Sequence, residues 1–362
     1  DDKTGFYSFI KRTEDTEQTE TLLGDFLEDT YEFIDATKKF NFDAYHIMPY
    51  NPKLGVNLLK KYYIDIANYS PKPIWMYTSA NWCQSIKPEF VEELYKIIQE
   101  IVEDSGTSEI VMSVAGPKRE NKISMTNRNL VLDEIELKKN TKTDNFYLLN
   151  DWESIGYCLP LLQDEDFKTV KKGVSNPEKT CLAIGPGTGL GFSVLRYIKG
   201  HPVVSATELG NTRLYNDYLF DLFEISKGND FSVLESFISG KGLEKIYYSK
   251  TNQLASSEEI VQSYGNDNHA SFILEKFNEA LGKILSDLTL TFLAYGGIYL
   301  AGSLMRSIIG LNLDDKMNTS YTSHPSNEHK KILENTAINL ITKEHTPLYG
   351  NLNYSIVRRF HE

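Results

Sequence analysis

Hydrophobic residues recur at helical spacing in two parts of this chain and crowd into short unbroken runs in several others. Behind Pro88, the residues Phe90, Val91, Leu94, Ile97, Ile98 and Ile101 follow three- and four-residue steps. That predicts an amphipathic helix opened by a proline in its first turn. A longer helix is predicted over about residues 270–295, running into Gly296-Gly-Ile-Tyr-Leu-Ala-Gly302, a buried strand bounded by glycines. Residues 109–116 and 146–149 are strand-like, with a short helix predicted around Leu132–Leu137 between them. Strand and helix alternate as in α/β proteins. Further upstream, residues 22–26 and 31–34 predict paired strands around an acidic turn, Glu28-Asp29. Residues 1–20 read as a polar extension and 38–75 as an irregular insertion rich in Tyr, Pro and Asn. No internal repeat or low-complexity tract is visible.

The most informative run is Cys181-Leu-Ala-Ile-Gly-Pro-Gly-Thr-Gly-Leu-Gly-Phe192. It predicts an apolar strand, a glycine turn and a second strand from Gly191 through Phe192, Val194 and Leu195. Gly185, Gly187, Gly189 and Gly191 surround one hydroxyl, Thr188. A backbone of this kind can approach a phosphate and offer N–H groups without Cβ obstruction. A strand follows and not a helix, which excludes a dinucleotide fingerprint, and no Lys-Ser/Thr pair closes a P-loop. A glycine hairpin without a ligand is the plain alternative.

Other residues allow two readings each. Asn150-Asp151 stands where a strand gives way to a helix containing Trp152, Ile155, Tyr157 and Leu159. Asn and Asp are favoured helix caps, yet a carboxylate here could also take a proton from a sugar hydroxyl attacking a phosphoryl group. Glu208 and Glu235 are either solvated acids or acceptors for sugar hydroxyls. The glycines at 296, 297 and 302 either allow close helix–strand packing or leave room for an adenosine ring. Beyond Tyr215 the chain becomes helical.

With 362 residues, two domains are expected. The net charge of −12 comes without a Lys/Arg-rich run, which argues against nucleic acid or an anionic membrane as partner. No apolar run approaches the roughly 20 residues of a transmembrane helix. Cys83, Cys158 and Cys181 fit neither a disulfide framework nor a zinc site and are expected as buried thiols in a reducing compartment, cytoplasmic or mitochondrial. The start at Asp-Asp-Lys suggests removal of a leader or a truncated chain.

Taken together, the segments resemble the bacterial-type glucokinases of the actin/Hsp70/hexokinase superfold over about residues 105–355. Segments 113–129 are similar to that family's strand, Gly-Pro turn and Thr-Asn stretch, and Leu149-Asn150-Asp151-Trp-Glu-Ser-Ile to its Asn-Asp-Phe-x-Ala segment. Gly185-Pro-Gly-Thr-Gly-Leu-Gly191 resembles its second phosphate loop almost residue for residue. Ser239-Gly-Lys-Gly242, Gly296–Gly302 and His345-Thr-Pro-Leu-Tyr-Gly350 resemble its later turns. The resemblance implies two ribonuclease H-like α/β domains with a cleft between them. The smaller would hold 21–151 and 347–362, the larger 152–346. It makes Asp151 the general base and places Asn150, Glu208, Asn211 and Glu235 at sugar hydroxyls. It sets Asp25, Gly185, Gly187, Thr188, Gly189 and Gly302 around ATP. With Mg²⁺, ATP and glucose would give glucose 6-phosphate.

The chain departs from this pattern at its first phosphate loop. Where the family carries Gly-Asp-x-Gly-Gly-Thr-Asn, the best match is Gly24-Asp25-Phe26-Leu27-Glu28-Asp29-Thr30, and Gly-Gly-Thr occurs nowhere. Two added carboxylates would face a polyphosphate, at about 4 kcal/mol for one like-charge pair 4 Å apart in a dielectric of 20. Asn211 stands where the family has His, and Arg213 where it usually has an acid. The expectation is a glucokinase-like protein that kept the fold, lost strong catalysis and serves as a structural or accessory subunit with other protein subunits. The alternative is an active glucokinase. A sensor of sugar or nucleotide is a third reading.

Overall fold

The computed structural model describes residues 109–360 apart from 126–129, 144 and 229, together with Tyr31, Asp35, 45–47, Asp65, Ile66, Tyr69, 74–76, Ile98 and Gln99. The chain divides into two compact units, 1–110 with 135–146, and 111–134 with 147–362.

In the first unit, strands β1 (Tyr45–Ile47) and β2 (Ile74–Met76) pair in parallel. β1 lies inside the stretch 38–75 expected to be an irregular insertion, and β2 begins at its end. Tyr31 and Asp35 are helical, where the sequence suggested a strand over 31–34. Tyr31 stacks on Tyr69 with ring centroids 4.0 Å apart, and the Tyr69 hydroxyl donates to Asp35 Oδ2 at 2.9 Å. Ile98 and Gln99 are helical, as expected behind Pro88. Ile98 is buried and Gln99 Nε2 donates to the Asn140 carbonyl.

The second unit is built on a six-stranded sheet. Its strands are β8 (Phe167–Lys171), β9 (Cys181–Pro186), β10 (Leu190–Ile198), β11 (His201–Thr207), β12 (Gly297–Leu300) and β13 (Ile338–Ile341). Their spatial order is β11-β10-β9-β12-β13-β8. The first three are antiparallel, β9, β12 and β13 run parallel, and β8 closes the edge antiparallel. Three antiparallel strands followed by two parallel ones is the ribonuclease H-like arrangement that the sequence led us to expect. Every residue of β9, β12 and β13 is buried, which explains their unbroken apolar runs.

Smaller pieces carry the site. Strand β3 (Glu109–Val114) pairs with β7 (Asn145–Asn150), and β4 (Lys118–Arg119), β5 (Lys122–Met125) and β6 (Leu130–Asp133) form a separate meander. Helix α1 begins only at Glu134 and ends at Thr141. The helix expected around Leu132–Leu137 therefore starts as a strand. Leu132 is buried opposite Ile123, and Asp133 pairs with Lys122 Nζ at 2.8 Å across the ladder, which holds these residues extended.

Helix α2 (Asp151–Cys158) rests against β10 and β11 on one side and α10 (Thr346–Val357) on the other. A Cβ on Gly350 would lie 1.7 Å from the Ser154 carbonyl oxygen, so only glycine permits that helix separation. Ser154 Oγ donates to Asn351 Oδ1 at 2.6 Å, and Asn351 Nδ2 donates to Ser113 Oγ at 2.8 Å.

The other face of the sheet is covered by α6 (Asn268–Phe292). Asp267 caps it by accepting from the backbone of His269 and Ala270, and Leu293 ends it with φ of 50°. Phe277, Leu281, Ile284 and Leu285 are fully buried along its inner stripe. No helix among the described residues is long and apolar enough to cross a membrane. Cys158 and Cys181 are free and buried; Cys83 lies outside the described residues.

Candidate active site

The glycine hairpin joins β9 to β10 through Gly187-Thr188-Gly189, closed by a bond from Gly187 N–H to the Gly189 carbonyl at 2.8 Å. Thr188 is exposed at its tip. A Cβ on Gly187 would meet nothing within 4 Å, so the backbone at that residue faces open space. Gly185 and Gly191 face each other across the hairpin and have a different reason to be glycine. The Trp152 indole lies on them: a Cβ at Gly191 would fall 1.6 Å from its Nε1, and one at Gly185 2.5 Å from its Cη2 and 2.3 Å from the Ala301 carbonyl oxygen. Trp152 immediately follows Asp151, so one side chain ties the helix bearing the carboxylate to the glycine hairpin.

A second segment brackets the same hairpin. Ser239 caps helix α4 (Gly240–Thr251): its Oγ accepts from Gly242 N–H at 2.9 Å and donates to the Glu235 carbonyl at 2.6 Å. Gly240 N–H donates to the Gly187 carbonyl at 2.7 Å. The Glu235 carboxylate accepts from Leu190 N–H at 3.2 Å. Gly302, with φ of +102°, caps a short helix over Ser303–Ile309, and its Cα side faces the Pro186 carbonyl. Glu208 and Asn211 are exposed and joined by a bond from Asn211 Nδ2 to Glu208 Oε2 at 3.1 Å.

Asp151 occupies the first turn of α2. Burial pushes its carboxyl up from the ordinary 3.8 to about 6. Backbone N–H groups of Trp152 and Asp151 oppose the rise, and the nearby charge of Glu208 adds to it. A carboxylate of this kind is ionised at neutral pH yet basic enough to take a proton.

Asn150 acts as a helix cap. Its Oδ1 accepts from Trp152 N–H at 2.9 Å and Glu153 N–H at 3.3 Å, while its Nδ2 donates to the Gly116 carbonyl at 2.8 Å. Glu153 completes a capping box through Asn150 N–H and pairs with Lys118 at 3.3 Å. Burial raises the Glu153 carboxyl, and Lys118 works against that rise.

The fold thus draws Asp151, Glu208 and Asn211 into one neighbourhood, and Gly187, Gly189, Glu235 and Gly240 into another. Asp25 lies outside the described residues. Sequence reasoning missed Trp152 as a clamp and Lys118 as partner to the capping box. The signal for the first was present: a large aromatic beside Asp151 and two glycines that strand pairing sets opposite each other. Among the described residues, no group of three His, Cys, Asp or Glu side chains could hold a metal ion.

Solved structures share this architecture. A glucokinase from Leishmania braziliensis superposes with a TM-score of 0.63 at 19% identity, covering 78% of this chain and 86% of its own. A glucokinase from Balamuthia mandrillaris, in complex with glucose, does so with 0.59 at 18%, covering 76% and 85%. The protein is therefore of the actin-like, hexokinase-type α/β fold. A family model for glucokinase matches residues 76–355. A glucokinase from Marinobacter nauticus is 25% identical over 288 residues, 74% of this chain and 89% of that protein. The chain belongs to the glucokinase family.

Proposed function

We propose that this glucokinase-family protein keeps a hexose- and nucleotide-binding site, transfers phosphate poorly, and acts as an accessory subunit of a larger assembly. The observation that carries this reading is the missing Gly-Gly-Thr, whose best-matching segment bears Glu28 and Asp29 instead. Each ~1.4 kcal/mol of added repulsion at the transferring phosphate is about tenfold in rate. Asn211, bonded to Glu208, weakens the sugar side further, since it offers no imidazole. A fold kept without its turnover leaves interaction as the retained role. Within this reading the smaller lobe is 21–151 with 347–362 and the larger 152–346.

The state of Asp151 favours a second reading, an active glucokinase. Asp151 would take the proton of a sugar hydroxyl as that oxygen bonds to the γ-phosphorus and the bond to ADP breaks. Gly187, Thr188 and Gly189 would face the phosphates, and Glu208 and Glu235 would accept from sugar hydroxyls. Mg²⁺ would arrive on the polyphosphate and neutralise charge there, since such ions rely on substrate oxygens plus one or two carboxylates.

A coupled assay for glucose 6-phosphate from ATP, Mg²⁺ and glucose, run beside Asp151→Asn, separates the readings. Rates indistinguishable from the variant in folded protein support the accessory role. Loss of about 10²-fold or more in the variant establishes the kinase.

A further inference from the structure

We propose that Glu235 is a positioning residue that couples sugar occupancy to the setting of the phosphate-type loop. The inference rests on the reading above, in which Glu235 meets the sugar and residues 187–189 meet phosphate.

The segment that carries Glu235 holds that loop at both ends. On one side, Gly240 N–H donates to the Gly187 carbonyl at 2.7 Å. On the other, Leu190 N–H donates to Glu235 Oε2 at 3.2 Å. Ser239 Oγ, donating to the Glu235 carbonyl at 2.6 Å while capping α4, makes the two attachments parts of one turn. Between them the loop is closed on itself by the Gly187–Gly189 bond.

The space around the carboxylate is fitted to it. A Cβ on Gly189 would stand 2.6 Å from Glu235 Oε2 and one on Gly210 2.9 Å from the same oxygen. Two glycines, one in the phosphate-type loop and one in the sugar-side segment, therefore enclose this group. Leu234 N–H also donates to the Thr212 carbonyl at 2.8 Å, which joins the Glu235 turn to the segment holding Glu208 and Asn211.

A carboxylate has two oxygens and accepts through both. Oε2 is taken by Leu190, and Oε1 remains for a sugar hydroxyl. A hydroxyl that orients Oε1 fixes the plane of the carboxylate, hence the bond to Leu190 and the pose of the loop. Sugar and nucleotide would then each favour the other's binding, as thermodynamic linkage requires.

Glu235→Gln keeps the volume but leaves one acceptor oxygen for two donors. Gly189→Ala displaces the tip of a flexible side chain and leaves its charge in place. AMPPNP affinity of the full chain would be measured by calorimetry with and without saturating glucose, and Leu190 amide exchange followed without ligand. Wild-type affinity should rise about fivefold or more with glucose, and the ratio should fall to near one in both variants. Leu190 exchange should quicken by about tenfold on loss of a bond to a charged acceptor. A ratio near one in the wild type, or the same ratio in all three proteins, overturns the coupling and leaves the functional reading standing. Wild-type protein that binds neither ligand overturns that reading and the coupling with it. The attachment of the loop is then judged by Leu190 alone, and unchanged exchange in the variants refutes it.

Discussion

Replacing Asp151 by Asn should stabilise the protein at pH 8 relative to its effect at pH 4. The folded carboxyl is pushed up to about 6 from its ordinary 3.8, mainly by burial. The native state thus holds the proton more tightly than the unfolded chain does. Stability from this group is fully present below about pH 4 and is lost as pH rises through about 6. At about 1.4 kcal/mol for each pH unit between those values, the ionised Asp151 costs about 3 kcal/mol at pH 8. Asn has nearly the same shape and its Oδ1 can still accept from the backbone of Trp152, so the substitution removes the charge and little else. The variant's advantage should grow by about 3 kcal/mol between pH 4 and pH 7 and then stay level. For a unit of this size that is a Tm difference of about 6–12 °C. Thermal melts across this range, followed by near-ultraviolet circular dichroism, read it directly. An advantage that does not change with pH, or a variant less stable than wild type at pH 8 by the same margin as at pH 4, refutes the buried-carboxylate argument.

Other expectations follow from named contacts. Gly191→Ala should cost about 1–3 kcal/mol or more, because its Cβ falls inside the Trp152 indole, and Gly191→Ala with Trp152→Ala should recover part of the loss; chemical denaturation measures both. Gly187→Ala, with open space at its Cβ, should leave the melt unchanged while weakening AMPPNP binding in calorimetry. Asn351→Ala should lower stability by about 1–3 kcal/mol by leaving buried partners unmatched, read as a shift in denaturation midpoint. Cys158 and Cys181, whose burial pushes both thiols up to about 12, should resist a thiol reagent at pH 8 until the protein is unfolded.

Local pattern revealed the elements that carry a strong period. The glycine hairpin and α6 were legible because their signals lie within a few residues of one another, although β10 starts at Leu190, one residue before the expected Gly191. Strand β13 was missed: Ile338-Asn-Leu-Ile341 is too short to show a period, and its burial comes from parallel pairing with distant β12. Strand β11 was missed because Pro202 weakens a β pattern that is edge-compatible only once its place beside β10 is known. Asp151 and the phosphate-type loop stood out as candidates, whereas Asn150 shows how residue type underdetermines role. Its side chain caps α2 and bonds Gly116, a use that depends on a turn 34 residues upstream. The reason Gly210 is a glycine was equally hidden, since a Cβ there would stand 2.6 Å from the Leu190 carbonyl oxygen and 2.9 Å from Glu235 Oε2.

The indole of Trp152 on its bare glycine floor also constrains how such a chain can drift. While the ring is present, neither Gly185 nor Gly191 can acquire a side chain, and the sequence there is frozen whether or not the protein turns over substrate. Loss of the ring would release Gly191 alone, since a Cβ at Gly185 would still lie 2.3 Å from the Ala301 carbonyl oxygen, and any residue that then filled position 191 would bar the ring's return. A lineage that abandoned catalysis could therefore keep an intact glycine signature for purely mechanical reasons, and the signature would outlast the chemistry.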